Sequence, residues 1–180
     1  SFSEELFLEH VWGGLKWALD DGNPKALNYS AVRTPKMPEE NRFNKVVLEE
    51  GLNEPIELAL LPSGNVLYIE RHGAIKIYDQ EMKATMVVDT IPISHEYTSA
   101  EGKKSEAEDG LLGVKLDPDF EKNNFIYFYY SPAGDTAENV LARYVLKDEK
   151  LDRASKKIII RIPVQREERY HTGGSIDFDG

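Results

Sequence analysis

Cysteine is missing from this 180-residue sequence, which excludes disulfides, thiolate metal sites and a cysteine nucleophile while leaving the cellular compartment open. Positive charge is also scarce. Lys and Arg number 22 against 32 Asp and Glu, and the formal net charge of -10 repels phosphate backbones and anionic lipid surfaces alike. Nucleic acid is therefore not an expected partner. No apolar run approaches the roughly 18 residues of a membrane span, and no signal-peptide pattern is visible. There is no Gly-rich phosphate loop and no serine elbow, and His10, His72 and His95 show no paired metal-ligand spacing. The chain lacks an initiator Met and stops at a turn, so it is expected to be a piece of something longer. What it does have is a hydrophobic fraction of 41%, enough for a packed core.

The stretch Glu108 to Ser131, EDGLLGVKLDPDFEKNNFIYFYYS, organises the rest. Two apolar runs of strand length, Leu111 to Leu116 and Phe125 to Tyr130, flank the turn-rich segment from Asp117 to Asn124. This spacing predicts a β-hairpin with a long tip. Val114, Leu116 and Pro118 have counterparts in Leu58, Leu60 and Pro62 upstream, and in Ile176, Phe178 and Gly180 downstream. Leu58 to Val114 is 56 residues and Val114 to Ile176 is 62. A strand-turn unit recurring roughly every 40 to 60 residues marks a propeller, whose blades are small antiparallel sheets.

Taken in order, the chain opens on a helical pattern. Ser3 caps it, Glu4 and Glu5 occupy its first turn, and Leu8, Val11, Trp12, Leu15 and Leu19 share one face. Gly13 and Gly14 in its middle point to close packing against another element, and Trp12 and Trp17 read as packing residues. Residues 23–42, with Pro24, Pro35 and Pro38, read as a linker.

The expected domains are thus a helix over 1–22, the linker, and a β domain over 43–180. In the β domain, strands are predicted at Phe43 to Leu48, Ile56 to Leu61, Val66 to Glu70, Ala74 to Tyr78 and Met86 to Asp89. The last four of these make one blade. Ser94 to Glu108 carries no apolar pattern and is expected to be a long loop. A second blade follows over Leu111 to Pro163, with strands near Leu111 to Leu116, Phe125 to Tyr130, Val140 to Leu146 and Lys157 to Ile162, and Ser175 to Phe178 would open a third. The fold class is mainly β: about two and a half blades of antiparallel sheet behind an N-terminal helix. Leu58, Leu60, Val114 and Leu116 are expected to be buried.

His171 is the histidine with a chemical setting, in Tyr170-His171-Thr172-Gly173-Gly174. Glycines let backbone approach a ligand, and a neutral imidazole accepts a proton from a hydroxyl. A surface-loop histidine beside a glycine turn is the alternative. Glu108 and Asp109 end the long loop on the same side of the propeller, either as a ligand-facing carboxylate pair or as a solvated loop end.

Three stretches, GLNEPIELALLPSGNVLYIERHGAIKIYD (Gly51 to Asp79), Glu108 to Ser131, and HTGGSIDFDG (His171 to Gly180), resemble the glucose/sorbosone dehydrogenase family. Its members are soluble quinoprotein sugar dehydrogenases with six-bladed propellers. FLEHVWGGLKWAL resembles the closing helix of trehalose-utilisation (ThuA-like) domains, which occur fused ahead of such propellers.

The resemblance implies hydride transfer from a sugar hydroxyl to pyrroloquinoline quinone (PQQ) polarised by calcium. It implies His171 as general base and Glu108 as the side chain facing the quinone. The family's calcium ligands and its basic contacts to the quinone come from later blades, so no metal ligand is assigned in this chain. Tyr170 stands where several members have an acidic residue that orients the base, and Glu108 adds negative charge beside an anionic quinone. The family further implies a sugar partner and a periplasmic, secreted or cell-surface setting. A non-catalytic carbohydrate- or protein-binding propeller, and a scaffold segment with no site of its own, stay open as alternatives. Exposed sheet edges make self-association an expected property.

Overall fold

The computed structural model describes residues 42–99, 101–166 and 170–179. The expected N-terminal helix, most of the linker, and His10 lie outside them. The chain divides into two compact units, residues 1–46 and residues 47–180, and the sheets belong to the second.

Two four-stranded antiparallel sheets carry this unit. The first meanders in sequence order through β1 (Pro55–Leu60), β2 (Val66–Glu70), β3 (Ala74–Asp79) and β4 (Ala84–Thr90). Between the sheets comes a two-stranded hairpin, β5 (Glu96–Thr98) and β6 (Lys104–Glu106). The second sheet is β7 (Leu111–Leu116), β8 (Phe125–Tyr130), β9 (Glu138–Lys147) and β10 (Lys150–Pro163), again a meander. Each sheet is a propeller blade, as the repeat predicted. The β7–β8 tip holds the one α-helix among the described residues, the single turn α1 (Phe120–Asn123).

Asp117 builds that tip. Its carboxylate accepts the Asp119 amide N–H at 2.9 Å, the Asn123 side-chain amide at 2.9 Å and the Tyr127 hydroxyl at 2.9 Å. Asn124 then ends the turn in the left-handed region at φ 55°, its N–H donating to the Phe120 carbonyl at 2.8 Å.

Period-two alternation places the core. Leu67, Ile69, Ile75 and Ile77 of the first blade are buried, as are Leu111, Val114, Ile126, Phe128, Tyr130, Val140, Ala142, Tyr144 and Leu146 of the second. All belong to one cluster, so the core lies where the two sheets face each other. Three backbone bonds tie the second blade to the first and to the segment that follows it: Leu111 N–H to the Arg71 carbonyl, Ser94 N–H to the Ser131 carbonyl and Ala133 N–H to the Pro92 carbonyl. The last strand, β10, is a sheet edge with two register shifts, and it mixes charged residues with the exposed Ile159, Ile160 and Ile162.

Several expectations are corrected. Leu58 and Leu60 are exposed, at 59% and 66%. In β1 the residues that turn to the second blade are Glu57 and Ala59, so the repeat matched the strands correctly but assigned the wrong face of the first one. Leu116 is half-buried, against the edge of the core. Residues 43–48 form no strand, because an apolar run becomes a strand only where a sheet edge receives it, and this run pairs with none. Ser175 to Phe178 likewise pair with no strand, so the expected opening strand of a third blade is absent among the described residues. The long loop Ser94 to Glu108 contains the β5–β6 hairpin, which its charged composition concealed.

Candidate functional site

Three segments meet at one end of the paired blades: the β2–β3 turn with Arg71, the approach to β7 from Glu106 to Gly113, and residues 170–175. Arg71 is the hub. Its Nη1 donates to the Ala107 carbonyl at 2.6 Å and the Asp109 carbonyl at 2.9 Å. Its Nε meets Glu54 at 2.5 Å and its Nη2 meets Glu106 at 2.8 Å. Burial would lower the guanidinium pKa, but the bonds to Glu54 and Glu106 outweigh it and raise it instead. The charge is permanent, and the three segments are arranged around it.

The sequence singled out His171 and Glu108, and the structure brings them together. The Glu108 carboxylate accepts the backbone N–H of His171 at 2.6 Å and that of Thr172 at 3.4 Å. The Thr172 hydroxyl donates to Asp109 at 3.1 Å. Two adjacent carboxylates therefore hold the histidine loop, Glu108 by its backbone and Asp109 through the threonine. His171 sits at φ 74°, a left-handed conformation that costs a residue with a Cβ on the order of 1 kcal/mol or more and persists only when neighbours enforce it. The Glu108 clamp is such a neighbour.

Close backbone packing completes the loop's seat. A Cβ on Gly113 would lie 2.0 Å from the Gly174 carbonyl oxygen, and a Cβ on Gly174 would lie 2.5 Å from the Tyr129 ring. Both positions require glycine for space. Further along, the Ser175 hydroxyl donates to Glu57 at 2.6 Å, while the other oxygen of Glu57 accepts the Val114 N–H at 2.8 Å. Glu57 thus ties β1 both to the second blade and to the segment beyond it.

An open cleft of about 350 Å³ results, bordered by Glu57, Arg71, Glu108, Leu112, Gly173 and Ser175. Tyr170 borders a neighbouring hollow with Glu54, Arg71, Glu106 and Glu108. Its ring centroid is 6.5 Å from that of His171 in an edge-on arrangement. Arg166 is a second basic side chain here, its Nε 4.0 Å from Asp109, with Nη2 donating to the carbonyls of Pro132 at 3.2 Å and Glu138 at 3.0 Å.

Sequence reasoning missed Arg71, Glu54 and Glu57. Arg71 falls in the short gap between the predicted strands Val66 to Glu70 and Ala74 to Tyr78, and Glu57 lies within the predicted strand Ile56 to Leu61. An arginine next to the glycine of a tight turn was the available signal, since a solvated turn does not call for a five-donor side chain. Also unanticipated is the convergence of His72, His95 and Glu106, which are far apart in sequence and meet only because β5–β6 folds back over the β2–β3 turn.

Comparison with known proteins agrees with this architecture. The sequence model of the Glucose / Sorbosone dehydrogenase family matches residues 52–180. An uncharacterized protein of Synechocystis sp. is 36% identical over 109 residues, covering 57% of this chain and 25% of its own length. A crystal structure described as a putative oxidoreductase (glucose dehydrogenase) from Thermus thermophilus is 27% identical. It aligns over 69% of this chain and 33% of its own, with a TM-score of 0.55. A second glucose dehydrogenase structure is 25% identical over 63% of this chain and 31% of its own, with a TM-score of 0.51. The chain spans about a quarter of the curated relative and about a third of the solved ones. The family match covers the blades, the Glu108 clamp and the His171 loop together, and the chain belongs to the glucose/sorbosone dehydrogenase family.

Proposed function

We propose that these residues supply the base-bearing side of a quinoprotein sugar dehydrogenase, with His171 accepting the proton of an aldose hydroxyl. The observation that carries the proposal is the Glu108 clamp, because a loop histidine with no task has no need of a carboxylate bonded to its own N–H and to the next. The clamp engages the His171 backbone rather than its ring, and the residues that follow, Thr172 to Ser175, line the cleft; fixing a base beside its substrate site in this way is what general-base catalysis requires.

PQQ fits as a ligand bordered on one side by this wall. Gly173 lines the cleft, and a Cβ there would meet nothing within 4 Å, so its absence leaves room beside the loop. When bound, the quinone would accept the hydride. Glu108 lines the cleft and would stand beside the group while holding the loop that carries the base. Anchoring the quinone's own carboxylates falls to other residues, since Arg71 is committed to Glu54, Glu106 and two carbonyls. The calcium of the family is assigned no ligand here. A sugar partner and an exported setting belong to the same proposal.

The test is a dye-coupled aldose oxidation assay with PQQ and calcium on the whole protein containing these blades. His171→Ala should lower kcat by about 100-fold or more with little change in KM, as expected for loss of a general base. Unchanged turnover in that variant would leave the loop a structural feature and favour a sugar-binding propeller.

A further inference from the structure

We propose that His72, His95 and Glu106 form a binding site for a divalent transition-metal ion of the zinc class, which ties the β5–β6 hairpin to the β2–β3 turn. The three residues offer one ligand atom each, and these atoms lie within 4.8 Å of one another. Glu106 Oε1 is 2.9 Å from His72 Nε2 and 3.3 Å from His95 Nδ1. Ligand atoms bound at about 2.0–2.2 Å to one tetrahedral or octahedral ion are separated by roughly 3–3.5 Å. Two of the three edges already have that length. The rings are tilted at 55° with centroids 5.0 Å apart, and a modest rotation of half-exposed side chains closes the third.

The hydrogen bonding around the cluster favours an ion over protons. Arg71 Nη2 lies 3.2 Å from His72 Nε2, and a guanidinium only donates, so this contact calls for a lone pair on Nε2. Glu106, as a carboxylate, only accepts, so its contact with the same Nε2 calls for a proton there. One nitrogen cannot satisfy both. A cation placed on the lone pairs of Nε2, Nδ1 and Oε1 removes the conflict. Arg71 then stays as donor to Glu106 at 2.8 Å, the kind of outer bond that orients a ligating carboxylate. Glu54 on the far side of Arg71 offsets its charge.

Two imidazoles and a carboxylate select for zinc, nickel, cobalt or copper and against calcium, which takes oxygen ligands. The ion would sit beside the cleft, two residues from Glu108, and hold the hairpin that leads to the clamp. Its role is positional and stands apart from the oxidation proposed above.

The test uses the metal-free protein, titrated with zinc in a calorimeter and with cobalt in a visible spectrophotometer. One equivalent should bind, cobalt should acquire the visible bands of a nitrogen-bound low-coordinate ion, and calcium in about 100-fold excess should not displace it. His95→Ala alters a half-exposed side chain, and a thermal melt in the absence of metal confirms that it folds. It should weaken binding by about 100-fold or more, since even the partners of metal ligands are worth 10–100-fold. Glu106→Gln should weaken it likewise, and His171→Ala should leave it unchanged. Absence of binding at about millimolar zinc, displacement by calcium, or equal affinity in the wild-type protein and His95→Ala would each overturn the proposal.

Discussion

Arg71 does for this end of the molecule what an apolar side chain does for a core. Its side chain is 10% exposed, and it meets two backbone carbonyls and two carboxylates. Arg71→Ala would leave the Ala107 and Asp109 carbonyls without that donor. The cost is set at about 2–3 kcal/mol by the usual penalty for orphaned acceptors, because the Glu54 and Glu106 side chains are half in water and recover much of their solvation. Urea denaturation measures this. In the metal-free protein the Glu106 carboxyl is held at about 2 by hydrogen bonds first from His72 and then from Arg71. Its folded value lies below the unfolded 4.5, so its contribution is complete above that value and is lost as pH falls from about 4.5 through 2. Glu106→Gln should therefore flatten the acid limb of the stability profile over that interval, and added salt should shrink the difference because the group is largely exposed. A parallel profile in the two proteins would show that the carboxylate is indifferent to its neighbours. Glu108 is read the same way: Glu108→Ala should speed amide hydrogen exchange at His171 and Thr172 while shifting global stability by only about 1 kcal/mol, the typical net value of such bonds.

At the scale of the element, the second blade depends on the alternation of β8 and β9. Phe128 is fully buried and meets the Tyr144 ring edge-on at 5.8 Å. Phe128→Ala should cost about 3–5 kcal/mol as a large aromatic truncated in a packed core, measurable as a lower denaturation midpoint at unchanged slope. Gly113→Ala is of another kind. Its added methyl would strike the Gly174 carbonyl, so the expected result is displacement of the His171 loop with a loss of about 1–3 kcal/mol. Increased hydrogen exchange over residues 171–176 would report it.

These two positions show what the sequence disclosed. Alternation over Phe125–Tyr130 and Val140–Leu146 marked strands whose structure differs by about two residues or fewer at each end, because period two is written residue by residue. The same signal named the wrong face of β1, where Leu58 and Leu60 alternate as cleanly as Leu67 and Ile69 but point to solvent. Amphipathicity says that a strand has two faces; tertiary contacts decide which is covered. The His171 and Glu108 loops were legible through their motifs. Arg71, Glu57 and the His72, His95 and Glu106 cluster were not, because each depends on turns and hairpins meeting across distances that no local pattern records.

At the scale of the whole molecule, apolar faces and a cleft lined from one side stay open. Ile56, Leu58 and Leu60 on β1 and Met86 and Val87 on β4 lie open, and the larger apolar faces of soluble monomers are usually contact surfaces. Sedimentation should therefore show association that rises with concentration and falls in the Leu58→Thr, Leu60→Thr double variant. The cleft follows the same geometry. A ligand on the axis of a propeller takes contacts from loops around the ring, whereas Glu57, Glu108 and residues 173–175 border one side. A quinone placed against them would keep its carboxylates in water and face carboxylates on the protein. Orientation and electrostatic stabilisation would both be weak. The 180-residue chain should accordingly bind PQQ no tighter than about millimolar in the presence of calcium, and should oxidise glucose at no measurable rate. Calorimetry and the dye-coupled assay decide this. Micromolar binding by this chain would mean that the wall holding His171 recognises the quinone without the rest of the ring.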